Sequence, residues 1–311
     1  MLTERGADLT APNKDGETPL HLVLKSTSSP FIPWVKSEFA CALIERGADV
    51  TAQNKDRATP LHLASRQGEV KVARMLIERG ADVSAQNEDG ETPLHLLSTP
   101  LPNWRLNYEL SPVRDKVEVA HMLTERGADL TAQNKDGATP LHLASQHGEV
   151  KVARMLIEYG ADVTTQNKDG DTPLDLASRH GRVEIVCMLE EGGANSLAQN
   201  RDQEYPSHRA SFQRGIEPVC MLIERRADVT AQKNFMQTPL HVASESEEGR
   251  VEVAHMPVEH GTDVTAQDIG SLPLQGGQAE VARMPNEQGM DMTAEEDRDN
   301  EDRETSLHLA S

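Results

Sequence analysis

A tetrapeptide that recurs at a fixed spacing constrains this chain more than any other feature. Thr-Pro-Leu-His begins at five positions, which are Thr18, Thr59, Thr92, Thr139 and Thr238. Thr-Pro-Leu-Asp begins at Thr172, and degenerate copies of the motif begin at Tyr205 and Thr305. The steps from Thr59 to Thr92 and from Thr139 to Thr172 are both 33 residues. A period of this length predicts an array of small stacked units rather than one central core.

Residues 59–91 show how one unit is expected to fold. Thr59 is suited to cap a first helix by accepting a backbone N–H, and Pro60 is suited to its first turn. Gly68 permits a tight reversal into a second helix, which Gly80 ends in a left-handed conformation. The apolar stripe of this second helix is predicted to contain Val70, Ala73, Leu76 and Ile77. Isolated helices need about 12–15 residues to be even marginally stable, so such short helices must stack against neighbours.

The whole repeating pattern resembles a known family. Thr-Pro-Leu-His-x-Ala, then glycine, then a Val/Ala/Leu segment that ends in Gly-Ala-Asp-Val, is similar to the ankyrin repeat and covers nearly the whole chain. The resemblance implies an all-α fold, an α-solenoid of stacked helix-turn-helix units with hairpin-like connecting loops. It also implies that one histidine per unit bonds within and between neighbouring units, namely His21, His62, His95, His142 and His241.

The repeat register divides residues 1–311, a single array, into regular and imperfect units. These are a partial repeat at 1–17, repeats near 18–58, 59–91, 92–138, 139–171, 172–204, 205–237 and 238–271, a degenerate unit at 272–304 and a truncated one at 305–311. Pro257 and Pro285 fall inside expected second helices, where a proline costs about 3 kcal/mol. Low order is therefore expected from about residue 246 onward. Both ends fall within a repeat, which predicts a piece of a longer protein or a shortened gene product.

Two units exceed the period, because the steps from Thr18 to Thr59 and from Thr92 to Thr139 are 41 and 47 residues. The extra segments lie between the expected first and second helices and hold both tryptophans of the chain. Their candidate partner-binding residues are Phe31, Trp34, Trp104 and Tyr108. Such aromatic side chains can anchor a partner protein, or they can fold back and pack on their own unit. The sequence leaves both interpretations open.

The loops between units carry a near-uniform Gln-Asn-Lys/Glu/Arg-Asp sequence. Its polar side chains are the second set of candidate partner-binding residues, namely Gln86, Glu88, Gln133, Lys135, Gln166 and Lys168. They are suited to line a binding face. Their sameness favours the alternative of recent duplication with solvated loops, because a surface adapted to one irregular partner should vary from unit to unit.

Composition and motif searches remove several function classes. A net charge of −20 argues against nucleic-acid partners, and no apolar stretch approaches the roughly 20 residues of a membrane span. Cys41, Cys187 and Cys220 share one register position. Cys187 and Cys220 lie on neighbouring helices expected about 8–10 Å apart, beyond the roughly 7 Å reach of a disulfide. Free thiols favour an intracellular location, either cytoplasmic or nuclear. No metal-binding, cofactor-binding or catalytic motif is found, so no cofactor and no enzyme activity are predicted.

The sequence therefore predicts a non-catalytic scaffold that binds other proteins through its repeats and is itself a monomer. The alternative is a regulatory or substrate-recognition segment of a larger multidomain enzyme or ubiquitin-ligase adaptor. A third interpretation, a decayed array without a present partner, follows from the damaged units near the C-terminus.

Overall fold

A computed structural model describes residues 8–25, 33–99 and 115–206, together with two short segments at 292–295 and 306–309. Side chains are described for residues 8–25, 36–99 and 115–206. The chain divides into two compact units, unit 1 from Met1 to Lys168 and unit 2 from Asp169 to Ser311.

The described part of unit 1 consists of four helix pairs, and each pair belongs to one repeat. The first helices are α1 Pro19–Lys25, α3 Pro60–Gln67, α5 Pro93–Leu97 and α7 Pro140–His147. The second helices are α2 Pro33–Glu45, α4 Val70–Glu78, α6 Lys116–Glu125 and α8 Val150–Glu158. We number the pairs repeat 1 to repeat 4. First helices pack against first helices of the next repeat, and second helices against second helices. The predicted all-α stack of helix-turn-helix units is confirmed for these residues.

Repeat 2 shows the local causes of this fold. Thr59 has an extended backbone, and Pro60 begins α3. Gly68 ends α3 at φ 65° and turns the chain into α4, while Gly80 has φ 87° just after α4. The buried side chains of α4 are Val72, Ala73, Leu76 and Ile77. The predicted inclusion of Val70 was wrong, because Val70 is only half-buried and Val72, one turn before Leu76, takes its place.

The recurring histidine links each repeat to the next. The Thr59 N–H donates to His62 Nδ1 at 3.1 Å, and the Thr59 hydroxyl lies 2.8 Å from the same nitrogen. Because Nδ1 accepts a backbone N–H, the ring proton lies on Nε2, which donates to the Glu91 carbonyl oxygen at 3.0 Å. Thr59 and His62 thus form a capping box, in which the Thr59 side chain faces the His62 backbone N–H, as the sequence predicted, and the imidazole accepts the Thr59 backbone N–H.

The same bonds recur along unit 1. His21 Nε2 and His95 Nε2 each lie 3.0 Å from the carbonyl oxygen that immediately precedes the next repeat, at Ala58 and Ala138. All three of these imidazoles are fully buried. Burial lowers the pKa of His21 and His62 and lowers that of His95 to about 4, so the rings are neutral at neutral pH. The inter-repeat role that the family resemblance implied is confirmed for these three; His241 lies outside the described residues.

Each connecting loop turns at one residue with a left-handed backbone. Glycine occupies this position in most loops, with φ of 74° at Gly16, Gly90 and Gly137. Arg57 and Gln203 stand at the same position with φ of 57° and 60°. An L-residue with a side chain pays about 1–2 kcal/mol in this conformation.

Replacement of Arg57 by glycine is expected to raise the free energy of unfolding by about 0.5–1 kcal/mol, because relief of strain exceeds the added freedom of the unfolded chain. The matched control is Gly137→Arg, which should destabilise, since a Cβ there would lie 2.9 Å from the backbone nitrogen of Lys168. Urea unfolding followed by helical circular dichroism measures both changes. Effects of the same sign in the two variants would contradict this account.

Unit 2 contains one further helix pair in its described part, α9 Pro173–Arg179 and α10 Val183–Glu191. Here Asp175 replaces the recurring histidine. Asp175 Oδ2 accepts the Thr172 N–H at 2.8 Å and the Thr172 hydroxyl at 2.7 Å, so it reproduces the bonds within the repeat. A carboxylate has no proton to donate, so Asp175 cannot form the bond that His62 Nε2 donates to the next repeat.

Two strands follow near the C-terminus, β1 Met292–Glu295 and β2 Ser306–Leu309, which pair antiparallel with Met292 opposite Leu309. The repeat register predicts a first helix after Thr305, so the strand β2 differs from that expectation. Ser306 stands where the helical copies have the proline that favours the first turn.

Several expectations about the C-terminal third lie outside the described residues. They are the repeats at 205–237 and 238–271 beyond residue 206, the interruptions at Pro257 and Pro285, and, apart from β1 and β2, the low order expected from about residue 246.

Candidate protein-binding surface

Each inter-repeat loop is built around an asparagine side chain. We call the four residues that begin with this asparagine the tip, for example residues 87–90 and 134–137. Asn87 Oδ1 accepts the backbone N–H groups of Asp89 at 2.9 Å and Glu91 at 2.8 Å. Asn134 Oδ1 accepts those of Asp136 at 3.0 Å and Ala138 at 2.9 Å. The asparagine therefore closes the loop by replacing backbone acceptors, which is a structural reason for its recurrence.

The tips of unit 1 are also joined to one another. In each tip the residue after asparagine donates its backbone N–H to the aspartate carbonyl oxygen of the preceding tip. The donor–acceptor pairs are Lys55 to Asp15 at 2.9 Å, Glu88 to Asp56 at 2.6 Å, Lys135 to Asp89 at 2.8 Å and Lys168 to Asp136 at 2.9 Å. One bond per repeat holds the tips in a continuous line, which we call the tip row. In unit 2 the Arg201 N–H donates to the Asp169 carbonyl oxygen at 3.2 Å.

The tip row brings the predicted loop residues together on one surface. The side chains that the backbone bonds leave exposed along it are Gln86, Glu88, Gln133, Lys135, Gln166 and Lys168. These backbone bonds use main-chain atoms only, so they do not engage the exposed side chains. Whether these residues bind a partner stays a prediction.

Most tips of unit 1 carry a lysine followed by an aspartate. The Lys55 ammonium lies 3.7 Å from the Asp15 carboxylate, and both side chains are exposed. An exposed pair of this kind contributes little stability, so its charges are open to competition by a partner. Glu88 is the exception, because glutamate occupies the lysine position of this tip. Its backbone N–H still donates to the Asp56 carbonyl oxygen, as in the other tips. The row is therefore locally acidic at the tip of repeat 2.

The enlarged repeats differ from the regular ones at the turn between their helices. Phe31, Trp104 and Tyr108 lie outside the described residues. Trp34 belongs to α2, which begins at Pro33, so these two residues start the second helix and do not lie before it as the sequence predicted. Nothing is described of the Trp34 side chain.

A lysine anchors the second helix at the end of each enlarged segment. Lys36 Nζ donates to the Leu24 carbonyl oxygen at 2.7 Å and to Gln67 Oε1 at 2.5 Å. Lys116 Nζ donates to the Thr99 carbonyl oxygen at 2.9 Å and pairs with the Glu149 carboxylate. In both repeats the ammonium joins the end of the first helix to the following repeat. In repeat 2 the carbonyl oxygen of Ser65, at the position of Leu24, instead accepts the backbone N–H of Gly68 at 2.9 Å.

Sequence reasoning missed one exposed aromatic residue, Phe39 on α2. Its side chain is about half exposed, although it occupies a position where repeats 2, 3 and 4 have a buried valine. The sequence did contain a signal for this residue, because Phe39 is the phenylalanine that replaces the valine of repeats 2, 3 and 4 when the repeats are aligned.

The remaining features to consider are the cysteines, possible metal-binding groups and possible membrane-spanning helices. Cys41 and Cys187 form no disulfide, and burial raises the pKa of the Cys41 thiol. Cys220 lies outside the described residues. Within residues 8–25, 36–99 and 115–206, no group of three or more His, Cys, Asp or Glu side chains is arranged to hold a metal ion. Among the described helices, none combines the length and apolar character that crossing a membrane requires.

Comparison with known families agrees with this geometry. A family model described as "Ankyrin repeats (many copies)" matches residues 43–97, and one described as "Ankyrin repeats (3 copies)" matches residues 113–200. No curated protein matches the chain. Residues 43–97 and 113–200 therefore consist of ankyrin repeats. Ankyrin repeats are in general non-catalytic modules for protein–protein interaction.

Proposed function

We propose that the chain is a non-catalytic, intracellular scaffold that binds a partner protein through the tip row of unit 1. The observation that supports this is the line of backbone hydrogen bonds between tips, which presents Glu88, Lys135 and Lys168 from consecutive repeats on one surface. A row held by main-chain bonds is preorganised, so a partner would not bear the cost of ordering it.

The proposed partner is a protein with both charges on its contact surface. The tip row offers lysines next to aspartates at most tips and an acidic site at Glu88, so it complements a mixed surface rather than the uniformly negative backbone of a nucleic acid. The free thiols Cys41 and Cys187 support an intracellular setting, cytoplasmic or nuclear.

The test compares two triple variants with identical charge changes. Glu88→Ala/Lys135→Ala/Lys168→Ala removes charges of the tip row, and Glu78→Ala/Lys71→Ala/Lys151→Ala removes the same number of exposed charges from α4 and α8. Proteins captured from cell extract by the unmodified chain are quantified for both variants. We expect at least one captured protein to decrease about tenfold or more with the tip variant only. Equal capture by both variants would refute the proposed surface.

A second set of contacts is proposed at the enlarged repeats, through Phe31, Trp34, Trp104 and Tyr108. Support comes from the position of both segments at the helix-to-helix turn, where Lys36 and Lys116 anchor the helices that follow them. A Trp34→Ala/Trp104→Ala variant in the same capture experiment separates the two surfaces. Retained capture by this variant, with unchanged stability, would remove the aromatic residues from the proposal.

The alternative proposal is a recognition or regulatory segment of a larger multidomain enzyme or ubiquitin-ligase adaptor. The same surface serves that role, and the family match is shared by both. The identity of the captured proteins distinguishes them, because components of a ubiquitination or other enzyme complex favour the alternative.

A further inference from the structure

Two charged positions near the start of the second helix alternate in sign along unit 1. We call the first the inner charge position and the second, two residues later, the outer charge position. The inner charge position is held by Lys36, Glu69, Lys116 and Glu149 in repeats 1 to 4. The outer charge position is held by Glu38, Lys71, Glu118 and Lys151. Repeats 1 and 3 are therefore of one kind and repeats 2 and 4 of the other, and the two kinds carry opposite charges at both positions.

Ion pairs between consecutive repeats use these positions. The Lys116 ammonium of repeat 3 pairs with the Glu149 carboxylate of repeat 4, and the two side chains are only 18% and 26% exposed. At the outer charge position, the Glu118 carboxylate of repeat 3 accepts from Arg74 Nη2 of repeat 2 at 2.7 Å. Arg74 follows Lys71 by one helical turn, so it adds to the positive charge of repeat 2. Each kind of repeat thus offers charges that the next repeat complements.

The inner charge positions of repeats 1 and 2 also lie at the contact between those repeats. Lys36 Nζ of repeat 1 donates to Gln67 Oε1 of repeat 2. The neighbouring Ser37 hydroxyl donates to Glu69 Oε2 at 2.5 Å. Glu69 is 1% exposed, so its carboxylate lies within the interface and not in water. A carboxylate in place of Lys36 would bring like charges together where shielding by solvent is weak, and their repulsion is stronger there than at an exposed surface.

Apolar packing does not distinguish the two kinds of repeat. Residues 59–91 of repeat 2 and 139–171 of repeat 4 are identical at 26 of 33 positions. The second helices of repeats 2, 3 and 4 bury valine, alanine and leucine at corresponding positions. Units this similar can assemble in the wrong order while the chain folds, which is a characteristic failure of repeat proteins. The buried apolar residues are thus too alike to specify which repeat is the correct neighbour.

We propose that the charges at the inner and outer positions select the neighbour on which each repeat stacks. Stacking of repeat 1 directly on repeat 3 would place Lys36 against Lys116, two cations. It would also place Glu38 against Glu118, two anions. The consecutive order instead gives each pair of neighbours in unit 1 opposite charges at both positions. Repulsion in the incorrect arrangement enlarges the free energy difference between the correct and the incorrect neighbour, and this difference is what makes the stacking specific.

Reversal of both charges in repeat 1, Lys36→Glu/Glu38→Lys, tests the proposal in three chains. In the unmodified 311-residue chain the reversal gives repeats 1 and 2 like charges, so we expect half of the protein to unfold at a lower urea concentration. In a chain that lacks residues 59–91, repeat 1 adjoins repeat 3, and the reversal restores opposite charges, so this midpoint should rise. In a chain that lacks residues 59–138, repeat 1 adjoins repeat 4, which has the charges of repeat 2, so the midpoint should fall again. Each shift should reflect a change of about tenfold in the unfolding equilibrium constant.

Helical circular dichroism follows unfolding in all three chains. The reversal removes the bond from Lys36 to the Leu24 carbonyl oxygen in each of them, because both residues belong to repeat 1, so this loss cannot produce a rise in one chain alone. The matched control is Glu45→Lys/Arg46→Glu, which exchanges two exposed charges of α2 outside both positions and should shift the midpoint alike in all three chains.

The chain without residues 59–91 decides the outcome. A cooperative transition that is present only after the reversal counts as the expected rise. A midpoint that falls or stays unchanged in that chain would overturn the proposal, as would the absence of a cooperative transition there both before and after the reversal.

Discussion

Replacement of His95 by leucine is expected to lower the free energy of unfolding by about 3 kcal/mol. His95 is fully buried, accepts the Thr92 N–H at Nδ1 at 3.1 Å, and its Nε2 lies 3.0 Å from the Ala138 carbonyl oxygen. Leucine fills a similar volume but leaves the Thr92 N–H and the Ala138 carbonyl oxygen without the hydrogen-bond partner that the imidazole provides. Each buried polar group that loses its partner costs about 1–3 kcal/mol, which the apolar side chain offsets only in part. Urea unfolding followed by helical circular dichroism measures the change.

Two variants divide this effect into its parts. His95→Asn keeps an acceptor for the Thr92 N–H, as Asp175 does in unit 2, but it is too short to reach Ala138. About half of the loss should therefore remain. His121→Leu is the control within the same unit, because His121 is only half-buried and bonds to the exposed Tyr159 hydroxyl. A similar loss in His121→Leu would show that the cost arises from any histidine replacement and not from the inter-repeat bond.

Acidification from pH 7 to pH 5 is expected to destabilise unit 1 without any mutation. Burial lowers the pKa of His95 from 6.5 to about 4, and it lowers the pKa of His21 and His62 in the same direction. Below pH 6.5 the unfolded chain therefore binds more protons than the folded chain at each of these sites. Their contribution to stability is complete above pH 6.5 and is lost as the pH falls, for His95 down to about pH 4. His95 alone accounts for about 2 kcal/mol at pH 5.

The measurement is a series of urea unfolding experiments between pH 7.5 and about pH 5, above the range in which most carboxylates titrate. His95→Asn should show a shallower pH dependence, because one of the buried imidazoles is removed. Lower pH also protonates Asp49, Asp129 and Asp162, whose bonds to a following threonine lower their pKa, so their losses begin only below about pH 4. A stability independent of pH between 7 and 5 would exclude neutral buried histidines as inter-repeat links.

The local elements of the fold could be predicted because they depend on neighbours in sequence. Thr59-Pro60 begins a helix, Gly68 reverses the chain and Gly80 ends the second helix, each through backbone preferences of residues a few positions apart. The buried apolar face of α4 was predicted less accurately than its ends. Periodicity alone did not distinguish Val70 from Val72, since the buried face depends on the direction of the preceding repeat.

The candidate surface was predictable in its residues but not in its architecture. Gln133 and Lys135 could be selected as polar loop residues, yet the bond from the Lys135 N–H to the Asp89 carbonyl oxygen joins loops that are distant in sequence. The exposure of Phe39 likewise depends on which repeat lies against α2. Trp34 could be noted as unusual, but its place in the first turn of α2 required the structure.

The sequence by itself thus determined the repeat, its period and the start and end of the helices in regular units, because steric and hydrogen-bonding preferences of adjacent residues act within each unit. Only the tertiary structure decided which nitrogen of His62 carries the proton, how the tips join and which face of repeat 1 remains exposed. These features arise from contacts between residues one full repeat apart, and stacking alone brings such residues together.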